Sequence, residues 1–151
     1  MLPEMSIKQI SVFLENKPGR LAEVTRVLAA AGVNIHSLCI ADTADFGILR
    51  MIVSDVELAR GALKNVGLTA KTTDVVAMGL EHKPGSLAGV LAELEALGIS
   101  IEYMYAFTSR SKEHDAIVAF RFADEDESLR KLMERRPVGV KLLGNDIIAG
   151  L

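Results

Sequence analysis

Residues 14–35 and 80–101 carry nearly the same text, and this duplication constrains the fold more than any other feature. Leu14-Glu15-Asn16-Lys17-Pro18-Gly19-Arg20-Leu21-Ala22 aligns with Leu80-Glu81-His82-Lys83-Pro84-Gly85-Ser86-Leu87-Ala88, and the match runs on to Ile35/Ile101. Of 22 aligned positions, 12 are identical without a gap. Ile48-Leu49 then aligns with Ile117-Val118 at an offset of 69, so the second copy has three extra residues in its middle loop. Whatever supersecondary unit one copy builds, the other builds too.

Each copy reads as the same succession of elements. Ile7–Leu14 and Val75–Leu80 alternate as strands do. Lys-Pro-Gly then turns the chain into a helix, where proline is tolerated in the first turn. Leu21, Val24, Leu28 and Ala31 follow at helical spacing, as do Leu87, Val90 or Leu91, Leu94 and Leu97, with Gly32 and Gly98 placed to end the two helices. Strands are predicted over Val33–Ile40 and Ile99–Phe107, then over Phe46–Val53 and Ala116–Phe122. Helices follow over Val56–Val66 and Glu125–Arg135, and closing strands over Leu68–Thr72 and Val140–Ile148. The order βαββαβ, met twice, predicts an α+β chain of two tandem ferredoxin-like units, antiparallel sheets with helices on one face. The units are expected over residues 1–73 and 74–151, with no linker between them. Simple alternation puts Ile99, Ile101, Tyr103, Tyr105 and Phe107 on one strand face, and sets Leu38 and Ile40 opposite Val33 and Ile35. A sheet apolar on both faces needs a second cover.

Hydrophobic residues make up 50% of the chain, more than a small sheet-helix layer needs, which points to a homodimer or larger assembly. No apolar run approaches the ~20 residues that span a bilayer, so no membrane association is expected. Met1–Ile7 lacks the basic-then-apolar pattern of a secretory signal, so a cytoplasmic location is expected. The single Cys39 excludes an internal disulfide and any multi-cysteine metal cluster. No cofactor or metal site is predicted. A net charge of −3 argues against a nucleic-acid partner.

The chemistry gathers at the duplicated turn. A helix start offers unpaired backbone N–H groups and the positive end of the dipole, which suit a carboxylate. Gly19 and Gly85 let the backbone approach a ligand closely, and the side-chain oxygens of Asn16 and Asn34 suit an ammonium group. Together these are the complements of an amino acid. The strand ending in Glu15-Asn16-Lys17-Pro18-Gly19-Arg20-Leu21, the helix, and then Gly32-Val33-Asn34-Ile35 resemble the ACT domain, the regulatory module of many amino-acid-metabolism enzymes. The second copy has Glu81-His82-Lys83-Pro84-Gly85-Ser86-Leu87 and Gly98-Ile99-Ser100-Ile101. The resemblance covers nearly the whole chain and implies a tandem ACT protein that binds an amino acid or a close relative and regulates a metabolic enzyme. It also implies that sites form where the turn of one unit meets the second strand of another. The ligand-binding candidates are Asn16, Lys17, Pro18, Gly19, Arg20, Leu21, Asn34 and Ile35, with His82, Gly85, Ser86, Leu87 and Ser100 in the second copy. That copy departs from the pattern at His82, Ser86 and Ser100, so the better site is expected at the first turn. No catalytic residue is predicted.

Plainer readings stand beside these. Lys-Pro-Gly also serves simply as a helix-starting turn, Asn34 as a strand cap, and Arg20, His36 and His114 as surface or edge residues. Asp124-Glu125-Asp126-Glu127 reads as the favoured acidic start of a helix whose far end is basic. Ala41–Gly47 reads as a strand-to-strand turn whose carboxylates could also face a ligand. Tyr103, Tyr105 and Phe107 read as core or interface. The rival functions are a ligand-free docking or dimerisation module, an acylphosphatase-like hydrolase using Arg20 and Asn34, and an RNA platform using Phe120 and Phe122.

Overall fold

The computed structural model describes residues 5–42, 45–107, 116–149 and 151. The extra middle-loop residues of the second copy, His114, and Thr43-Ala44 of the first strand-to-strand turn lie outside the described residues. The chain divides into two compact units. The first is Lys8–Thr73; the second is Asp74–Leu151 together with the N-terminal segment that ends at Ile7.

The first unit runs β1 (Ile7–Glu15), α1 (Arg20–Ala30), β2 (Ile35–Asp42), β3 (Phe46–Val53) and α2 (Val56–Asn65) into β4 (Ala70–Leu80). Its sheet order is β2-β3-β1-β4, which puts the first strand at the centre. Ile10, Val12 and Leu14 of β1 meet Leu49, Met51 and Val53 of β3 and the inward stripes of the helices, Val24, Leu28, Ala59 and Leu63. Apart from Ala59, each of these side chains, fully buried, contributes about 1.5–3 kcal/mol. Asp55 starts α2 by accepting the Leu58 N–H at 3.0 Å.

The second unit takes up the same β4 without a break and adds α3 (Ser86–Ala96), β5 (Ile101–Phe107), β6 (Ala116–Phe122), α4 (Glu125–Arg135), β7 (Lys141–Leu143) and the short α5 (Asp146–Ala149). β4 pairs β6, β6 pairs β5, and β7 takes the other edge of β4. Both units therefore follow the ferredoxin-like strand order, and seven antiparallel strands are linked through β4. Val76, Met78, Phe120, Phe122, Leu94, Leu129 and Leu132 form the helix-covered core. Asp124 repeats the role of Asp55 by accepting the Glu127 N–H at 3.1 Å.

Three predictions at this level are corrected. The closing strand expected over Val140–Ile148 is only Lys141–Leu143, and Asp146–Ala149 turns into a helix although its sequence parallels Asp74–Ala77. The middle strands do not alternate simply, because each carries a β-bulge one residue in, between Ile35 and Ser37 and between Ile101 and Tyr103. The extra residue reverses the alternation. Leu38 and Ile40 thus face the same side as Ile35, opposite Met51 and Leu49, and Tyr105 and Phe107 turn away from the core that Ile101 joins. His36 falls in the first bulge, on the edge strand β2, and is only 7% exposed, so of the surface and edge readings the edge one holds. Its Nε2 has no partner among the described residues, and burial holds its pKa below the ordinary histidine value. The face of β4 and β6 away from the helices is also buried, along Val75, Ala77, Ile117 and Ala119. Among the described residues, no helix is long and apolar enough to cross a membrane.

Candidate functional site

The first turn is held by backbone bonds. The Asn16 N–H donates to the Asp45 carbonyl at 2.9 Å, which ties the strand end to the β2–β3 turn. The Arg20 N–H donates to Lys17 and the Glu23 N–H to Gly19. Gly19 precedes α1 with φ 88°, in the left-handed region, and supplies no side chain to cap the helix. The N–H groups of Leu21 and Ala22 are left without a partner among the described residues. A Cβ built on Gly19 meets nothing within 4 Å, so this helix start opens onto free space.

The second turn repeats the arrangement. Gly85 has φ 90°, the Gly89 N–H donates to its carbonyl at 2.9 Å, and the space above it is again open. Leu21 and Leu87, at matching positions, are 38% and 39% exposed. Two apolar side chains thus stand beside the open helix starts.

The charged residues of the turns are engaged with each other. Glu15 pairs with Lys17 at 2.8 Å and with Arg20 at 3.8 Å, and Arg20 also reaches Glu23 at 3.2 Å. The Lys17 hydrogen bond, then the charges of Lys17 and Arg20, hold the Glu15 carboxyl below its ordinary value. In the second copy Glu81 pairs with Lys83 at 2.6 Å with the same effect. Arg20 is therefore less a free solvated cation than the centre of a small ion cluster.

Asn16 and Asn34 are both exposed, but one unit does not bring them together. Glu15 stands opposite Phe46, and Asp42 opposite Gly47, at one end of the sheet; Ile35 stands opposite Val53 at the other. The eight residues of β2 separate the two asparagines by roughly 25 Å. Asn34 is fixed at its end by Ser54, whose hydroxyl accepts the Asn34 N–H while its own N–H donates to the Asn34 carbonyl, both at 2.9 Å. Ser100 occupies the matching place, its carbonyl accepting the Ala123 N–H at 3.0 Å. Ile35, a ligand candidate by sequence, packs against the core. The same separation keeps Arg20 away from Asn34, so the pair that an acylphosphatase-like reaction needs is not assembled within a unit. Phe120 and Phe122 are fully buried and stack at 5.8 Å inside the core, which withdraws them as a platform for RNA bases.

A family model described as the ACT domain pair matches residues 5–138. The chain belongs to the ACT domain pair family. The structure of protein BT0572 from Bacteroides thetaiotaomicron is similar to this ACT pair at 46% identity, covering 97% of this chain and 98% of that one with a TM-score of 0.85. The ligand-free regulatory subunit of aspartate kinase from Thermus thermophilus shares the fold at 18% identity and TM-score 0.58, covering 86% of this chain and 92% of that one. The corresponding Thermus flavus subunit does so at 20% identity and TM-score 0.54, with the same coverage. No curated protein matches the chain.

Two features of this ACT pair escape a reading of its motifs. The first is Glu125. The acidic start of α4 does work as a helix start, but Glu125 is not solvated. Its side chain is 10% exposed, one oxygen accepts the Phe122 N–H at 3.2 Å, and the other has no partner among the described residues. Burial pushes this carboxyl up to about 7, against the pull of the Phe122 N–H and of Arg121. The second is a groove of about 360 Å³ beside the second turn, lined by Glu81, Ser86, Gly89, Glu93, Val138 and Lys141 among others. The sequence signal for it is Gly89, a glycine inside a helix where the first copy has Glu23. Among the described residues no group of three His, Cys, Asp or Glu side chains is arranged to hold a metal ion.

Proposed function

We propose that this ACT domain pair binds a small amino acid at its first turn and, through that binding, regulates an enzyme of amino-acid metabolism. One observation carries the reading: a helix start with unpaired N–H groups, left open by a glycine in the left-handed region, occurs twice at the same place in the repeat. The backbone N–H groups take the carboxylate, and Asn16 with Asn34 takes the ammonium. Because Asn16 and Asn34 stand at opposite ends of one sheet, and the second copy has His82 and Ser100 in their places, a complete site draws Asn16 from one chain and Asn34 from another. A ligand held in that way favours the associated state, because it binds that state and no other. This is how a sensor without chemistry of its own passes on a signal. Regulatory subunits of aspartate kinase, which share the fold, suggest the kind of enzyme served.

The test is thermal unfolding against each of the twenty amino acids at millimolar concentration. A rise in midpoint with one or a few of them, lost in an Asn16→Ala, Asn34→Ala double variant, supports the reading. Equal stabilisation of that variant removes its chemistry. Exposed apolar side chains support a second reading, a docking or dimerisation module. Phe13 (60% exposed) and Phe46 (51%) lie on the sheet face away from the helices, and Leu38 (49%) and Ile40 (51%) lie on the edge strand. That reading gains if no amino acid shifts the midpoint while association persists.

A further inference from the structure

The two units end their second helix differently. Asp55 and Asp124 start α2 and α4 in the same way, and from that register Leu63 matches Leu132, Lys64 matches Met133 and Gly67 matches Arg136. Gly67 has φ 79°. Arg136, at φ 44°, is the one non-glycine residue in the left-handed region among the described residues. The bond that closes the helix end does not use its side chain. The Arg136 N–H donates to the Leu132 carbonyl at 2.9 Å, much as the Gly67 N–H donates to the Lys64 carbonyl at 3.0 Å. An arginine thus stands, at a steric cost that glycine avoids, where the backbone alone asks for glycine. A residue held in that way is a candidate for function in its side chain.

Arg136 lines a groove of about 300 Å³. The floor is Leu132, which is buried. The walls are Met5, Met133, Pro137, Val140 and Leu142, each only partly buried, so that apolar surface is left uncovered. All of these residues belong to the second unit. No acidic side chain lines the groove among the described residues. The Arg136 guanidinium is exposed and has no hydrogen bond or ion pair among the described residues. The first copy has the opposite arrangement, a lysine in place of Met133 and no charge in place of Arg136. The combination of an apolar wall and a single cation therefore belongs to the second unit. Concave, mostly apolar sites with one or two placed polar groups are the usual form of small-molecule sites, and the flexible thioethers of Met5 and Met133 adapt to a ligand's shape.

We infer that the groove between α4 and β7 binds a small monocarboxylate with an aliphatic body and no ammonium group. The Arg136 guanidinium donates to the carboxylate through paired N–H groups, and the body lies against Met5, Met133 and Val140. An ammonium group beside that carboxylate is disfavoured, because the groove offers it no anionic partner and burying it unpaired is costly. The ligand class is thus distinct from the amino acid proposed for the first turn, and neither site depends on the other.

The experiment is a titration of the full chain, carrying ¹³C-methyl methionine, with hexanoate. Saturable shifts are expected at the methyl groups of Met5 and Met133, and none at Met51, which is buried in the core of the first unit. Three matched compounds separate the parts of the ligand: acetate keeps the charge without the body, hexan-1-ol the body without the charge, and L-norleucine adds an ammonium to hexanoate. Each is expected to act on the two methyl groups roughly tenfold more weakly or less. Arg136→Gly, which restores the first copy's residue and removes the strain, is expected to keep the unfolding midpoint while hexanoate affinity falls roughly tenfold or more. Met133→Glu leaves the helix end intact and sets an anion beside Arg136; it is expected to weaken binding as much. The inference is overturned if hexanoate at millimolar concentration moves neither methyl group. It also fails if hexan-1-ol or L-norleucine binds as well as hexanoate, or if either variant, folded, binds hexanoate like wild type.

Discussion

Gly19 and Gly85 show what a single residue decides here. Each sits at positive φ with empty space above it, so an added methyl group meets no neighbour and the whole penalty is conformational. Replacing either by Ala is expected to cost about 1 kcal/mol or more, read as a lowered unfolding midpoint. Gly61, in the middle of α2 with nothing within 4 Å of a built Cβ, is the opposite case. Gly61→Ala is expected to stabilise by about 1 kcal/mol, because the helix no longer carries the backbone freedom of glycine. Glu125 adds a pH dependence with a definite sign. Its folded value of about 7 lies above the ordinary 4.5, so between those two pH values the unfolded chain ionises while the folded chain holds its proton. Stability from this group is therefore present at low pH and lost as pH rises through the window. The drop in midpoint between pH 5 and pH 7.5 is expected to be smaller in Glu125→Gln than in wild type. Nothing in the run Asp124–Glu127 betrays which carboxylate is buried. Four acidic neighbours look alike until the helix start turns one of them toward Phe122 and Arg121.

At the scale of elements the duplication did most of the reading. Phe46–Val53, Ala116–Phe122 and Glu125–Arg135 lie where their patterns place them, because apolar spacing and an aspartate start are local properties. Asp55→Ala and Asp124→Ala are each expected to cost about 1 kcal/mol through loss of the helix cap, measurable by denaturant unfolding. The bulges in β2 and β5 were not legible. A bulge is two residues facing one, and the one belongs to another strand. The fate of Asp146–Ala149 was hidden for a related reason. Its twin, Asp74–Ala77, lies inside β4, a strand with partners on both edges, whereas the β7 ladder ends at Leu143 and the chain beyond it coils. The residues of the candidate site were legible as types, but not the distance between them. Only strand register reveals that Asn16 and Asn34 stand at opposite ends of one sheet.

For the molecule as a whole, a ligand present at 100 times its Kd is expected to raise unfolding free energy by about 2.7 kcal/mol, whichever turn holds it. The fold class was readable because a repeated unit with the same apolar spacing has few ways to bury itself. The groove beside the second turn was not, because it follows from side chains that are absent. The division of the chain has one further consequence. Met5 packs against the core of the second unit, beside Leu132, Val140 and Leu142, although the chain from Lys8 to Thr73 belongs to the first. Met5→Ala is expected to destabilise that unit by on the order of 1 kcal/mol, since the side chain is only partly buried. On a ribosome, Lys8–Thr73 can close soon after it emerges. Met5, made before it, must wait for Leu132, Val140 and Leu142, an interval on the order of ten seconds at ordinary elongation rates. Throughout that interval the nascent chain carries a finished unit with Met5 unburied ahead of it, and only the arrival of Val140 and Leu142 covers that side chain.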